Sequence, residues 1–170
     1  MRYAGIKEND TTNGEGVCVS LFLQGCPHKC KGCFNPETWD FNGGIEIDEE
    51  KLLKKVISLI DINNIQRNLS ILGGEPLCEE NIHFVCLLVF AMKNFFPDNK
   101  IHIWTGYTIE ELLQRDNTYI KLFLEQIDYL IDGPYIEEER DITLKWKGSK
   151  NQRILTKKEI CDIIKEKIKK

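Results

Sequence analysis

The chain has no apolar run long enough to cross a bilayer. Its longest, around Phe84–Met92, falls short of the ~20 residues that a spanning helix needs. The opening residues Met1-Arg2-Tyr3-Ala4-Gly5-Ile6-Lys7 lack the apolar core of an export signal. A cytoplasmic protein with no membrane partner is therefore expected. Strong charge of one sign is missing too. Lys and Arg total 23 against 27 Asp and Glu, a net −4, which is no electrostatic footprint for nucleic acid. Internal repeats, linkers and low-complexity segments are absent, so the 170 residues are expected to form one domain over 1–170 with a real hydrophobic core.

Seven cysteines are present, an odd number and a high one for a chain without an export signal. That combination argues against disulfides and for metal binding or redox chemistry. Cys18, Cys78, Cys86 and Cys161 are scattered among apolar neighbours and are expected to pack as small buried hydrophobes. Cys26, Cys30 and Cys33 lie within eight residues and need a chemical explanation.

The pattern of elements is strand then helix, repeated. Val17–Leu23 is β-rich and almost continuously apolar, which suits a buried strand. A Gly/Pro/Asn-rich loop carrying the three cysteines runs to about Gly44. Asp48 caps a helix with apolar positions at Leu52, Leu53, Val56, Ile57 and Ile60. Leu69–Leu72 reads as a strand ending at Gly73-Gly74, and Glu80–Phe96 as a helix stopped by Pro97. Lys100–Trp104 is a third strand, and Thr108 with Glu111 forms a capping box. A helix over Tyr119–Gln126 and a strand at Tyr129–Asp132 follow. After an irregular stretch over Gly133–Gln152, Thr156 and Glu159 open a last helix with Ile160, Ile163, Ile164 and Ile168 in one stripe. The alternation predicts an α/β fold with a largely parallel sheet. A closed eight-fold barrel takes about 250 residues, so this chain can supply only an incomplete, partial β/α barrel with an open side.

The cysteine loop reads Gly25-Cys26-Pro27-His28-Lys29-Cys30-Lys31-Gly32-Cys33-Phe34-Asn35-Pro36, a C-x3-C-x2-C spacing directly after a strand. Structural zinc takes a closed tetrahedral shell, whereas a site one ligand short is the mark of a reactive centre. A [4Fe–4S] cluster normally has four cysteine ligands; with three, one iron stays free. The spacing alone leaves two readings open: such a cluster, or a zinc-bearing interaction module in which His28 or a distant cysteine completes the shell. Gly73-Gly74-Glu75-Pro76 separates them. It lies at the C-terminal end of the next strand, the sheet edge where ligands collect. Its glycines admit a ligand close to the backbone, Pro76 stiffens the exit, and main-chain carbonyls with the Glu75 carboxylate are acceptors for an amine.

Together these motifs resemble those of the radical S-adenosylmethionine superfamily. The likeness narrows over most of the chain. Asn13-Gly14-Glu15-Gly16, Ser20-Leu21-Phe22, Gly25–Trp39, Ile103–Tyr107, Asp132-Gly133-Pro134-Tyr135, Arg140-Asp141, Gly148-Ser149 and Asn151-Gln152-Arg153 are similar to the anaerobic ribonucleotide reductase activating proteins. Cys18, Phe34 and Lys147 stand where that family commonly has a basic residue, His and Arg. The resemblance implies that Cys26, Cys30 and Cys33 hold a [4Fe–4S] cluster whose free iron chelates the methionyl group of S-adenosylmethionine. It also implies that Gly73, Gly74, Glu75 and Pro76 form the amine-orienting segment, and that Gly32 and Phe34 touch the adenosyl portion around Cys33. A reduced flavodoxin or similar donor would supply an electron. The target would be a glycine of the large subunit of the anaerobic ribonucleoside-triphosphate reductase; another glycyl radical enzyme or a small molecule is the alternative target.

Overall fold

The computed structural model describes residues 1–115 and 118–168. It opens with strand β1, Arg2–Asp10, followed by β2, Cys18–Leu23, and the two-residue β3, Ile45–Glu46. Helix α1, Glu49–Ile60, leads through a small hairpin (β4, Asp61–Ile62; β5, Ile65–Gln66) to β6, Asn68–Gly73. Then come α2, Glu79–Phe95; β7, Ile101–Trp104; the single turn α3, Ile109–Leu112; and α4, Thr118–Leu124. Strand β8, Tyr129–Asp132, is followed by β9, Arg153–Thr156, and α5, Lys157–Ile168. The helices form for the reasons read from the sequence. The Asp48 side chain accepts from the Lys51 N–H at 3.1 Å. Thr108 and Glu111 make a reciprocal capping box, and the Thr156 N–H and hydroxyl both reach the Glu159 carboxylate.

Seven strands form one sheet in the order β3-β1-β2-β6-β7-β8-β9. The central four, β2, β6, β7 and β8, run parallel in chain order, and β1 and β9 add antiparallel flanks. Helix α1 packs beside α2, α2 beside α4, and α4 beside α5, so the helices form a layer. Between that layer and the sheet lie Val19, Leu21, Leu69, Ile71, Ile101, Ile103 and Leu130 from alternate strand positions, with Leu52, Val56 and Ile60 of α1, all fully buried. Each such aliphatic side chain contributes about 1.5–3 kcal/mol before chain entropy is subtracted. The expected α/β class and mostly parallel sheet are present, and the sheet is open, with β3 and β9 as its edges.

Five strands of the described residues are absent from the sequence reading: the two-residue β3, β4 and β5, and the longer β1 and β9. β1 is long but carries Lys7, Glu8, Asn9 and Asp10 and alternates poorly; its pairing with β2 is what makes it a strand. β9 occupies residues left between the irregular stretch and the last helix. Of the α5 stripe, Ile160 and Ile164 are buried; the side chains of Ile168 and, in α4, Tyr119 lie outside the described residues. Among the scattered cysteines, Cys18, Cys78 and Cys86 are buried as expected, whereas Cys161 is half-buried on α5. Burial pushes the Cys78 thiol up to about 12 and the Cys86 thiol up to about 11, as inert core cysteines require. No helix among the described residues is long and apolar enough to cross a membrane.

Candidate functional site

The C-terminal ends of β2, β6, β7 and β8 meet at one edge of the sheet, and each delivers a loop there. The cysteine loop is stitched down at its start. Gly25 N–H donates to Thr38 O at 2.8 Å, Cys26 N–H to Trp39 O at 3.1 Å, and Glu75 N–H to Gly25 O at 2.8 Å. A Cβ on Gly74 would run into the Gly25 carbonyl, so the close approach of the two loops requires glycine there. Lys29 and Gly32 take left-handed backbone conformations, φ +48° and +74°, that turn the chain between the cysteines.

Cys26, Cys30 and Cys33 line one cavity of about 150 Å³ together with Gly73, Gly74, Glu75, His28, Trp39, Thr105 and Tyr135. Three other residues singled out in the sequence stand elsewhere. Phe34 is 51% exposed and lines a second, adjoining cavity. Gly32 packs its Cα against the Glu137 carboxylate, and Pro76 is buried beneath the strand end.

Glu75 is 1% exposed, and its carboxylate ties three loops together. Oε1 accepts from the Leu77 N–H at 2.8 Å and the Thr105 hydroxyl at 2.7 Å. Oε2 accepts from the Gly106 N–H at 2.7 Å and lies 3.0 Å from His28 Nε2, which donates as the Nε2–H tautomer. A carboxylate has about four lone-pair positions, and these four donors fill them. His28 is further held edge-on to Tyr107, with ring centroids 4.4 Å apart, and over Gly106, where a Cβ would come within 2.6 Å of the imidazole. Neither the Thr105 hydroxyl nor the His28 ring could be assigned to Glu75 from spacing, since they lie 30 and 47 residues away.

The far wall comes from two motifs that pair residue by residue. Arg153 forms an ion pair with the fully buried Asp132. Gln152 Nε2 donates to Gly133 O at 3.0 Å, and Asn151 Nδ2 to Pro134 O at 2.7 Å. Asp132-Gly133-Pro134 and Asn151-Gln152-Arg153 thus extend the antiparallel β8–β9 pairing and set Gly133, Tyr135 and Gln152 into the cavity wall. Asp132 and Glu110 beside Arg153 hold its guanidinium firmly charged.

The donor set fits an iron–sulfur cluster. Thiolates are the ligands such clusters take. Asn35 N–H donates to Cys33 Sγ at 3.4 Å, and the main-chain N–H groups of His28 and Lys29 act on the Cys26 sulfur. The Trp39 indole N–H is buried beside the cavity and has no acceptor among the described residues. Burial raises the thiol pKa of Cys26 and of Cys30, a cost that a bound metal removes by taking the thiolate. A zinc ion needs its donors converging on one point, whereas the ligands of a cubane bind separate irons spaced around one cavity.

Comparison with known proteins agrees with this geometry. Residues 12–155 match the family described as 4Fe-4S single cluster domain. The chain is 40% identical over 154 residues to the anaerobic ribonucleoside-triphosphate reductase-activating protein of Vibrio cholerae serotype O1, covering 91% of this chain and 97% of that one. It is 37% identical over 154 residues to the protein of that name from Haemophilus influenzae, with the same two coverages. The counterpart in Enterobacteria phage T4 is 36% identical over 156 residues, 91% of this chain and 93% of that one. With a three-thiol cavity at the ends of parallel strands, and relatives aligned over nearly their whole length, this chain belongs to the 4Fe-4S single cluster family of anaerobic ribonucleoside-triphosphate reductase-activating proteins.

Proposed function

We propose that the chain, as one radical S-adenosylmethionine domain over residues 1–170, activates the large subunit of an anaerobic ribonucleoside-triphosphate reductase in the cytoplasm. The observation that carries the reading is the placing of three thiols, the Gly73-Gly74-Glu75 turn and an open wall in one cavity. Cys26, Cys30 and Cys33 would hold a [4Fe–4S] cluster with one iron left for the methionyl amine and carboxylate. When bound, the cluster would supply one-electron reductive cleavage of the S–C5′ bond, with the electron coming from a reduced flavodoxin or similar donor, and the products would be methionine and a 5′-deoxyadenosyl radical able to take a hydrogen atom from a glycine Cα of the reductase, leaving 5′-deoxyadenosine and a glycyl radical.

The chain's own residues supply position and dryness. Four protein donors already occupy Glu75, so the amine falls to main-chain carbonyls of the Gly73-Gly74 strand end, and Glu75 acts by fixing the loops around it. Pro76 locks the exit of that turn. Gly32 and Phe34 flank Cys33, and the adenosyl group would lie at the Cys33 end, where the cysteine cavity meets the adjoining one. The open sheet, read as a partial barrel, leaves a side through which a loop of another protein can enter. The test is anaerobic reduction of reconstituted protein with S-adenosylmethionine and the reductase. Release of 5′-deoxyadenosine and methionine, with a glycyl radical signal on the reductase, is expected; an intact cluster giving neither product would end the reading.

A further inference from the structure

Trp146 holds φ +59°, a left-handed backbone that a bulky side chain rarely adopts. Such strain persists only where the surroundings over-determine it, and it concentrates at functional sites. Here the surroundings are clear. The Trp104 indole N–H donates to the Trp146 carbonyl at 2.7 Å. The Trp146 ring stands edge-on to His102 and Tyr129, with centroids 5.2 and 5.4 Å away, and those two rings stack on each other.

The segment that carries Trp146, Ile136–Gly148, is pinned at its base. Ile136 N–H donates to Ser149 Oγ at 3.2 Å, and Asp141 N–H to Gly148 O at 3.1 Å. It reaches the cysteine loop as well, because Arg140 lies 5.2 Å from the centroid of the Phe34 ring and Glu137 packs on Gly32. The segment therefore bridges the cysteine loop and the helix-free face of the sheet. Beneath it is a cavity of about 440 Å³ that shares Cys33, Asn35, Leu72 and Trp104 with the cysteine cavity. Asn13, Asn35 and Gln152 line it beside Phe22 and Trp146; the Gln152 carboxamide is already held by Gly148, Ser149 and Gly133, which leaves the carboxamides of Asn13, through its oxygen, and Asn35 for a guest. Carboxamides are donor and acceptor at once and match the N–H and C=O of an extended chain. Phe34, which lines it, is 51% exposed, and Ile142, on the same segment, is 77% exposed.

We propose that Ile136–Gly148 is the wall that positions the partner's glycine-bearing main-chain loop, and that Trp146 is the positioning residue that sets this wall. The inference rests on the activating function proposed above. The occupant is a peptide loop because the cavity is continuous with the place where hydrogen abstraction occurs, and its lining suits main chain rather than one side chain.

The test uses reconstituted, cluster-bearing protein with the reductase and compares wild type with Trp146→Gly, Trp146→Phe and Ile142→Asp. Glycine removes the ring while favouring the left-handed backbone, so the substitution does not strain the chain. Two quantities are read: glycyl radical formed per 5′-deoxyadenosine released, and the reductase concentration for half-maximal radical formation. Loss of a half-buried aromatic anchor is expected to lower the first and raise the second by about tenfold in Trp146→Gly. Trp146→Phe should recover most of both. Ile142→Asp, at an exposed position of the segment that cannot harm the core, should raise half-saturation severalfold. Unchanged values in Trp146→Gly and Ile142→Asp overturn the inference. So does a parallel fall of radical and 5′-deoxyadenosine at constant ratio, which would assign the wall to the cofactor. Wild-type protein that leaves the reductase without a radical overturns the functional reading itself and this inference with it.

Discussion

Glu75→Gln preserves shape and changes one carboxylate oxygen into a donor, at a side chain 1% exposed. If the amide oxygen stays on the Oε1 side, Thr105 and Leu77 keep a partner. The new NH2 then faces the Gly106 N–H and His28. His28 can accept by changing tautomer, but the Gly106 amide cannot. An orphaned buried donor costs about 1–3 kcal/mol, and hydrogen bonds to a charged acceptor are worth about 1 kcal/mol more than neutral ones. Relief from burying the charge offsets part of this, leaving a net loss of about 3 kcal/mol. For a chain of this size that corresponds to a fall in Tm of about 6–12 °C. Thr105→Val removes one donor from Oε1, where Leu77 remains, and the acceptor of the Tyr107 N–H, so about 1–2 kcal/mol and a drop of about 2–8 °C are expected. Thermal unfolding of the cluster-free protein, followed by circular dichroism, measures both. A Glu75→Gln protein melting within about 2 °C of wild type, or a Thr105→Val protein just as impaired, would refute the three-loop role of this carboxylate.

Serine at Cys26, Cys30 or Cys33 should take reconstituted iron from about four per chain to a small residue, whereas serine at the core position Cys86 should leave it intact, as iron analysis will tell. Gly74→Ala should destabilise by about 1–3 kcal/mol in denaturant unfolding, because its Cβ meets the Gly25 carbonyl; a neutral substitution would mean the two loops can part. His102 is fully buried and burial lowers its pKa to about 4. Its folded pKa lies below the unfolded value near 6.5, so its contribution is fully present above about pH 6.5, declines as pH falls, and is gone below about pH 4. The span is on the order of 3 kcal/mol, and His102→Gln should flatten the stability profile between those limits; an unchanged slope would contradict it.

Much of this molecule could be read from residue order, and the parts that could not share a cause. The caps at Asp48, Thr108 and Thr156 and the parallel strands are local signals and stand where the sequence puts them. The three cysteines and the Gly73–Glu75 turn were legible because their chemistry is carried by short spacing, and the fold brings them into one cavity. Strand β1 was missed because its partner, not its own alternation, makes it a strand. The filling of Glu75 by His28, Thr105 and Gly106 joins loops far apart in the chain. The same holds for the pairing of Gly133 and Pro134 with Gln152 and Asn151, which turns motifs noticed for their likeness to a family into the wall of the site. Trp146 gave no sign in sequence, since a left-handed backbone at tryptophan is set by what packs around it.

Electron–nuclear double resonance on the reduced protein, with S-adenosylmethionine carrying nitrogen-15 in its methionyl amine, asks most directly whether the three thiols leave an iron free. A hyperfine coupling between the cluster and that nitrogen is predicted, vanishing when any of Cys26, Cys30 or Cys33 is replaced. A cluster signal from wild-type protein that is indifferent to the labelled amine would mean a closed coordination shell, and would contradict the account.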